Sequence, residues 1–197
     1  MTPMQHKPII IGLAGRAGSG KNFVACQIQG AVSSLDCFCE QYSFAGPLKD
    51  TVAAMFGIDR GLLNTERGKQ TVSWYNGMTY RELLQFVGTD VVREHVAPDF
   101  WVNRMESKLD KTPDDIVLIT DVRFTNEAEL IWRYGGKVLR VDGRANEEVP
   151  AHVSENGDFV VDGTVENPVG TTGESLVLQV AKLDERLLPF LPPAYQV

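Results

Sequence analysis

A glycine-rich segment near the N-terminus, GRAGSGKN at residues 15–22, contains the residue types that bind phosphate. It matches the pattern G-x-x-x-x-G-K-[ST] at every defined position except the last, where Asn22 replaces a hydroxyl residue. Glycines let backbone N–H groups close around phosphate oxygens, and a helix N-terminus and Lys21 would add positive charge. The segment follows the apolar run IIIGLA and precedes a helical pattern, as this loop requires. We therefore predict a nucleotide-binding loop; the alternative is a glycine-rich turn with a surface lysine.

Two residues are candidates for holding a magnesium ion beside this loop. The Ser or Thr hydroxyl expected at position 22 normally ligates Mg²⁺, and the Asn22 amide oxygen is a weaker ligand that could act directly or through water. Asp121 ends a predicted buried strand, as a Walker-B carboxylate does. We predict that Mg²⁺ relies on phosphates, water and Asp121. The alternative role of Asp121 is to cap the turn at Thr125.

Arginines and a helix face could hold a second anion. Arg123 lies two residues after Asp121, on the same face of an extended segment, and a guanidinium suits phosphate. The alternative role of Arg123 is a salt bridge to Glu127.

The helix predicted from Tyr80 has two different faces. One sector is apolar (Leu83, Leu84, Val87 and Val91), and a separate face carries Arg81, Gln85, Gly88 and Thr89. Glycine within a helix costs about 1 kcal/mol relative to alanine, which suggests that something packs there; the alternative is a solvated face. Trp101 could stack on a base or lie in the core.

The elements that must position these residues are predicted from hydrophobic periodicity. Strands are predicted at residues 9–13, 37–44, 115–121, 137–141 and 158–161. Helices are predicted at 21–33, from Pro47 to Gly57, from Tyr80, from a cap at Thr125 or Asn126 to 134, and after a capping box of Thr171 and Glu174. The alternation predicts an α/β fold of the P-loop NTPase type, with three αβα layers and a mainly parallel five-stranded sheet. Because ligands bind at the carboxyl ends of such strands, segments 15–22, 45–49, 121–123 and the residues after 141 are expected to be neighbours.

The chain of 197 residues is predicted to form a single domain. An irregular polar stretch at 58–80 is too long for a simple connection and predicts a functional insertion. Residues 143–157 form a polar, lid-like segment, and 188–197 are a tail whose P-P-x-Y pattern is a weak match to a WW-domain ligand.

Composition narrows the function. A formal net charge of -7 argues against a general nucleic-acid or membrane-surface binder, because those affinities depend on basic residues. The N-terminus, MTPMQHKP, lacks a signal-peptide layout and no long apolar run occurs, so a cytoplasmic location is expected. Cys37 and Cys39 have the spacing of one strand face, and without a second pair they are expected to be buried and apolar instead of binding zinc.

The chain resembles the bacteriophage deoxynucleoside monophosphate kinases. The resemblance covers most of residues 8–163 and rests on blocks that follow GRAGSGKN in order: YSFAGPLKDTVAAMFG, RELLQFVGTDVVREHVAPDFWVNRM, VLITDVRFTNEAELIWRYGGKVLRV and HVSE. It implies transfer of the γ-phosphate of ATP, with Mg²⁺, to a deoxynucleoside 5′-monophosphate inside an infected bacterium. Family members often have Asp where this chain has Asn22.

The loop motif and the resemblance together give roles to individual residues. Catalytic roles fall on Lys21, Asp121 and Arg123, the last as a phosphate clamp. ATP would be bound by Gly15, Gly18, Ser19, Gly20, Lys21, Asn22, Phe23 and, from the lid, Arg144. The acceptor would be bound by Ala17, Leu48, Lys49, Arg67, Arg81, Gln85, Gly88, Thr89, Trp101 and Arg123.

A phosphate monoester has its second pKa at about 6, so the acceptor is already mostly a dianion at neutral pH and needs no catalytic base. Neither His95 nor His152 is therefore given a role. Two other functions stay open: another P-loop kinase, acting on a nucleoside or a coenzyme precursor, and a switch or assembly module that hydrolyses NTP. The N/T-K-x-D motif of a guanine switch does not occur. The expected partners are small molecules, with neither nucleic acid nor membrane, and a homodimer is left open.

Overall fold

The computed structural model describes residues 7–32, 37–74, 77–143 and 159–195. Its sheet has five strands in the order β2-β3-β1-β4-β5, and every pair of neighbours is parallel. The strands are β1 Ile9–Ala14, β2 Cys39–Tyr42, β3 Ile116–Val122, β4 Lys137–Asp142 and β5 Gly163–Glu166. The predicted α/β fold with a five-stranded parallel sheet is confirmed.

The helices are α1 Lys21–Val32, α2 Ala45–Phe56, α3 Glu66–Lys69, α4 Tyr80–Gln85, α5 Phe100–Leu109, α6 Thr125–Arg133 and α7 Gly173–Leu183. A π-helix, Phe86–Val96, continues directly from α4. Short 3₁₀ turns occur at Leu62–Asn64, Glu185–Phe190 and Pro193–Tyr195.

Helices cover both faces of the sheet. Alternate residues of β1 point to opposite sides, and the side chains on each side pack against helices. Ile9, Ile11 and Leu13 belong to a buried cluster that also contains α1 and α7 residues. On the other face, a Cβ built on Gly12 would lie only 2.5 Å from Cδ1 of Ile131 in α6. A side chain at position 12 would therefore push α6 away from the sheet.

The chain divides into two compact units. The first comprises the described parts of 1–43 and 109–197 and contains the whole sheet; the second comprises 44–108. The second unit has its own small core of Val52, Leu63, Leu83 and Val87. The predicted insertion, 58–80, falls within this second unit and contains the Leu62–Asn64 turn and α3.

The prediction of a strand at 158–161 is wrong. Val160 is 84% exposed and belongs to no strand, and β5 begins only at Gly163. The segment joins the sheet through Asp162, whose backbone N–H donates to the Val138 carbonyl (2.8 Å) and whose carboxylate accepts from the Val138 N–H (2.7 Å). The apolar residues on which the prediction of a strand at 158–161 was based therefore lie just before β5.

Two predicted helix caps are also wrong. Thr125 already lies within α6, and the start of that helix is held by the buried Glu127 carboxylate, which accepts from the backbone N–H groups of Arg123 (2.8 Å) and Phe124 (3.2 Å). In α7 the capping hydroxyl belongs to Thr172, which accepts from the N–H of Ser175. Thr171 instead donates its hydroxyl to the Pro168 carbonyl (2.8 Å).

The two neighbouring cysteines differ in environment. Cys39 is buried in β2, as predicted, while Cys37 precedes the strand and is half-buried. Burial, with smaller contributions from Cys37 and nearby carboxylates, raises the pKa of the Cys39 thiol to about 12. Cys39 is therefore a neutral core residue at physiological pH.

Candidate functional site

The glycine-rich loop connects β1 to α1 at the carboxyl edge of the sheet. Gly15, Gly18 and Gly20 have φ angles of 130°, 80° and 94°, which L side chains rarely adopt. At Gly15 the space is also closed, because a Cβ would lie 2.5 Å from the Val141 carbonyl oxygen of β4. The strand beside β1 thus imposes glycine at the first position of the loop.

Lys21 is the first residue of α1, and its side chain turns back over the loop. The ammonium donates to the carbonyl oxygens of Gly15 (2.6 Å) and Arg16 (2.7 Å). It therefore holds a positive charge at the mouth of the loop. Ser19 is buried, whereas Asn22 and Phe23 are exposed at the start of the helix.

Asp121 and Arg123 lie at the end of β3, in the same unit as the loop. The Asp121 carboxylate accepts a hydrogen bond from the Ser43 hydroxyl, which follows β2 (2.7 Å). Arg123 follows the strand and is half-buried, and its backbone is fixed by Glu127. The sequence proposed Asp121 and Arg123 as site residues, a role that stays a prediction, and named Glu127 only as a salt-bridge partner of Arg123. It missed Ser43, because the contact between Ser43 and Asp121 forms only where the ends of β2 and β3 lie side by side.

Two side chains at this edge carry the oxygen atoms that Mg²⁺ prefers as ligands. Within the described ranges, no group of three or more His, Cys, Asp or Glu side chains could hold a metal ion. Asp121 offers a hard carboxylate oxygen, and Asn22 offers an exposed amide. An ion held here would take most of its ligands from phosphate and water.

In the second unit, Arg81 pairs with a carboxylate. Its guanidinium forms a short ion pair with Glu66, which also accepts from Lys69 (2.9 Å). Burial acts to raise the pKa of Glu66, but the hydrogen bonds and charges of Lys69 and Arg81 outweigh it and hold the pKa below its usual value. Arg67, on the same short helix, is exposed.

Gly88 is buried in the π-helix against Leu48. A Cβ at position 88 would lie 2.5 Å from Leu48 Cδ2, which explains a glycine inside this helix. The Gly88 carbonyl accepts from the Trp101 indole N–H (3.0 Å), and Trp101 is only 5% exposed. Its position favours the core alternative for Trp101.

The other predicted acceptor residues of this unit are partly accessible. Gln85 and Thr89 are half-buried, and the Lys49 ammonium donates to the Asn64 side chain (3.2 Å). Ala17, also half-buried, lies in the loop of the first unit. Arg144 and the predicted lid beyond Gly143 lie outside the described residues.

The fold and the loop define a class. A parallel sheet whose first strand leads through a glycine-rich, positive-φ loop into a lysine-bearing helix is the arrangement of P-loop nucleotide-binding proteins. No helix of the described ranges is both long and apolar enough to cross a membrane.

Comparison with known proteins narrows the class. The family model for deoxynucleotide monophosphate kinase matches residues 61–167. A putative deoxynucleotide monophosphate kinase of Acanthamoeba polyphaga mimivirus is 33% identical over 161 residues, covering 75% of this chain and 80% of that protein. The deoxynucleoside-5′-monophosphate kinase of Escherichia phage T5 is 26% identical over 178 residues, covering 62% and 71%. The chain belongs to the deoxynucleotide monophosphate kinase family, as its sequence blocks predicted.

Among solved structures, a sugar kinase from a Janibacter species aligns with this protein over 96% of this chain and 99% of the sugar-kinase chain. The TM-score is 0.41 and the identity 14%, so this likeness carries no argument.

Proposed function

We propose that the protein transfers the γ-phosphate of ATP to a deoxynucleoside 5′-monophosphate, giving ADP and the deoxynucleoside diphosphate. Its family makes it an enzyme, a phosphotransferase that acts on deoxynucleoside monophosphates. ATP as the donor, Mg²⁺ as the metal and the residue roles are our inference. The loop geometry carries the proposal: three positive-φ glycines with Lys21 folded over them form a cradle for a polyphosphate.

On the donor side, the phosphates of ATP would lie against the backbone N–H groups of residues 15–23, at the N-terminus of α1. Lys21 would exchange its carbonyl contacts for, or share them with, phosphate oxygens. Such an exchange costs little, because a carbonyl is a weaker partner for an ammonium than a phosphate anion. A bound Mg²⁺, held through Asp121, Asn22, phosphates and water, would neutralise charge that develops on the phosphate oxygens.

On the acceptor side, we assign the residues of the second unit that were predicted from the sequence, apart from Trp101, which is buried in the core. Arg81 is the main candidate for the acceptor phosphate, because a guanidinium already paired with a carboxylate is suited to another oxyanion. The substrate phosphate would then replace Glu66 as its partner. Gly88 and Leu48 pack together in the same unit and would form part of the surface against which the acceptor lies.

No side chain needs to remove a proton from the acceptor, since its phosphate is already mostly dianionic at neutral pH. Catalysis then consists of holding two anions in line while Lys21 and Arg123 offset their repulsion. His95 fits this reasoning: it is exposed, and its ring contacts the Asp90 carbonyl oxygen of its own helix (2.6 Å).

The test follows the label from γ-labelled ATP. We expect label in deoxynucleoside diphosphate when a deoxynucleoside monophosphate is present, and little free phosphate without it. Label that goes only into inorganic phosphate, at a rate independent of acceptor, would refute the proposal and indicate an NTP-hydrolysing module.

A further inference from the structure

A buried asparagine at the carboxyl end of β5 holds the phosphate-binding loop from outside the motif. Asn167 follows the last residue of that strand and has no exposed surface. Its side-chain amide donates to the backbone carbonyl of Ser19 at 3.0 Å. This bond joins residues 148 positions apart in the chain. Because Ser19 directly precedes Gly20 and Lys21, the bond acts on the part of the loop that would contact phosphate.

Asn167 is itself rigidly held. Its backbone N–H donates to the carbonyl of Asp142, the last residue of β4, at 2.6 Å. Gly143, at φ 121°, packs so closely on it that a Cβ there would lie 2.7 Å from the Asn167 carbonyl carbon. The ends of β4 and β5 therefore hold the backbone of Asn167, from which the side-chain amide extends to the loop.

A buried amide at position 167 is unfavourable for the stability of the fold. Its Oδ1 is buried and accepts no hydrogen bond from the described part of the chain, and the same holds for the buried Ser19 hydroxyl. A buried polar atom without a partner destabilises a fold, so an apolar residue would suit a purely structural position better. The bond that the amide does make, to the Ser19 carbonyl, is the feature that accounts for it.

We propose that Asn167 is a positioning residue for phosphoryl transfer: through the Ser19 carbonyl it fixes the phosphate-binding loop in its donor-binding conformation. This inference rests on the proposed function for its kinetic consequence only. Without the amide donor, the buried Ser19 carbonyl lacks its partner and the loop samples other conformations. Affinity for the donor nucleotide then falls, because part of the binding energy must reorder the loop.

The experiment compares Asn167→Ala and Asn167→Asp with Gln179→Ala in the full-length protein. Asp keeps the shape of Asn, but its carboxylate cannot donate to a carbonyl. Gln179 is the matched control: its amide bonds both backbone groups of Glu166, at 2.8 and 3.1 Å, beside Asn167 but away from the loop. We expect both Asn167 variants to raise KM for ATP and Kd for ADP about tenfold and to leave KM for the acceptor unchanged. Gln179→Ala should keep the wild-type value of all three constants.

A second readout is independent of activity. Hydrogen exchange of a peptide spanning residues 12–23 in the ligand-free protein should become faster in both Asn167 variants and stay at the wild-type rate in Gln179→Ala. The proposal is overturned if the Asn167 variants keep wild-type exchange and wild-type ADP affinity, or if Gln179→Ala shows the same losses. If the wild type transfers no phosphate, the proposed function fails, and the exchange data still decide the role of Asn167.

Discussion

Lys21 is the residue on which the donor side of the proposal depends most. Its ammonium donates to two loop carbonyls, and Lys21 is not one of the buried core residues, so its truncation opens no cavity in the apolar core. We expect Lys21→Ala to lower kcat/KM by about 10²–10³-fold, the usual effect of removing one group that stabilises the transition state. The melting temperature should change little, and Lys182→Ala, at an exposed position of α7, should leave both quantities unchanged. Near-normal turnover of Lys21→Ala would show that the loop does not hold the donor.

Arg123 gives the corresponding test for charge at the transferred phosphate. Arg123→Ala should lower kcat by orders of magnitude, about 10²-fold or more, while Arg133→Ala, at an exposed position of α6, should not. Single-turnover kinetics with saturating ATP would measure the effect. An Arg123→Ala variant with wild-type kcat would remove the clamp from the mechanism.

Glu66 competes with the substrate in this account, because its carboxylate occupies Arg81. We expect Glu66→Gln to lower KM for the deoxynucleoside monophosphate a few-fold, with kcat nearly constant, since the pair is partly exposed and worth only about 1 kcal/mol or less. Glu94→Gln is the charge-matched control, on an exposed position of the same unit. An unchanged or higher KM in Glu66→Gln would mean that the acceptor phosphate is not bound by Arg81.

At the scale of single residues, the sequence predicted features that depend only on neighbouring positions in the chain. The spacing of the glycines and Lys21 predicted a tight loop that leads into a helix, and the structure has both, whereas phosphate binding by that loop stays a prediction. Glu66 could not be predicted as the partner of Arg81, nor Asn167 as the partner of Ser19, because those pairs are 15 and 148 residues apart and form only through tertiary packing.

Among the elements, the loop between β1 and α1 restricts the residue type most strongly, at Gly15. Gly15→Ala places a Cβ at a φ of 130° and 2.5 Å from the Val141 carbonyl oxygen, so it should destabilise the protein and abolish ADP binding. Gly30→Ala is the matched control: nothing lies within 4 Å of its Cβ, and it is exposed within α1. That variant should be stabilised by about 0.5–1 kcal/mol. Thermal unfolding and calorimetric ADP titration measure both effects, and tolerance of Gly15→Ala would contradict the described loop conformation.

The segment after α7 contains an ion pair between a buried carboxylate and a partly exposed arginine, which makes stability depend on pH. Asp184 is buried, and its carboxylate accepts from Arg186 Nε (2.8 Å) and Nη2 (2.6 Å). Burial acts to raise the pKa of Asp184, but the hydrogen bonds and charge of Arg186 outweigh it and lower the pKa below the ordinary 3.8. The pair therefore stabilises the fold fully above that value, and the contribution is lost as pH falls through the lower, folded-state pKa.

Asp184→Asn should accordingly be less stable than the wild type by about 1–3 kcal/mol at neutral pH. The difference in unfolding free energy should shrink as the pH falls below the ordinary value of 3.8 and vanish below the lower pKa of the folded state, where the folded carboxylate gains its proton. Urea unfolding across that range would measure it. A difference that is constant with pH would show that the ion pair is not its cause.

Element prediction succeeded where strands are buried on both faces, as in β1 and β3, because a continuous apolar run has few other interpretations. It failed at β5, which has one buried residue, Val165, in four, and at the π-helix, because a period of 3.6 residues was assumed throughout. Gly88 lies inside the π-helix, and the side chain that packs on it, Leu48, lies far away in the chain, so this contact could not be predicted from the sequence.

For the whole molecule, the main feature is that the residues predicted to be functional belong to two different units. The loop, Asp121 and Arg123 belong to the unit that contains the sheet, and Arg81, Gln85 and Gly88 belong to 44–108. The sequence predicted the five-stranded parallel fold and the family, since the blocks that carry them span most of the chain. It predicted one domain with an insertion at 58–80, and that division stays a prediction.

The most direct test of the central claim is ADP release, measured with each of the four deoxynucleoside and four ribonucleoside monophosphates as acceptor. We predict release well above the acceptor-free background with at least one deoxynucleoside monophosphate, and its loss in Lys21→Ala. If the protein binds ATP but none of the four deoxynucleoside monophosphates raises ADP release above background, the proposed reaction is contradicted.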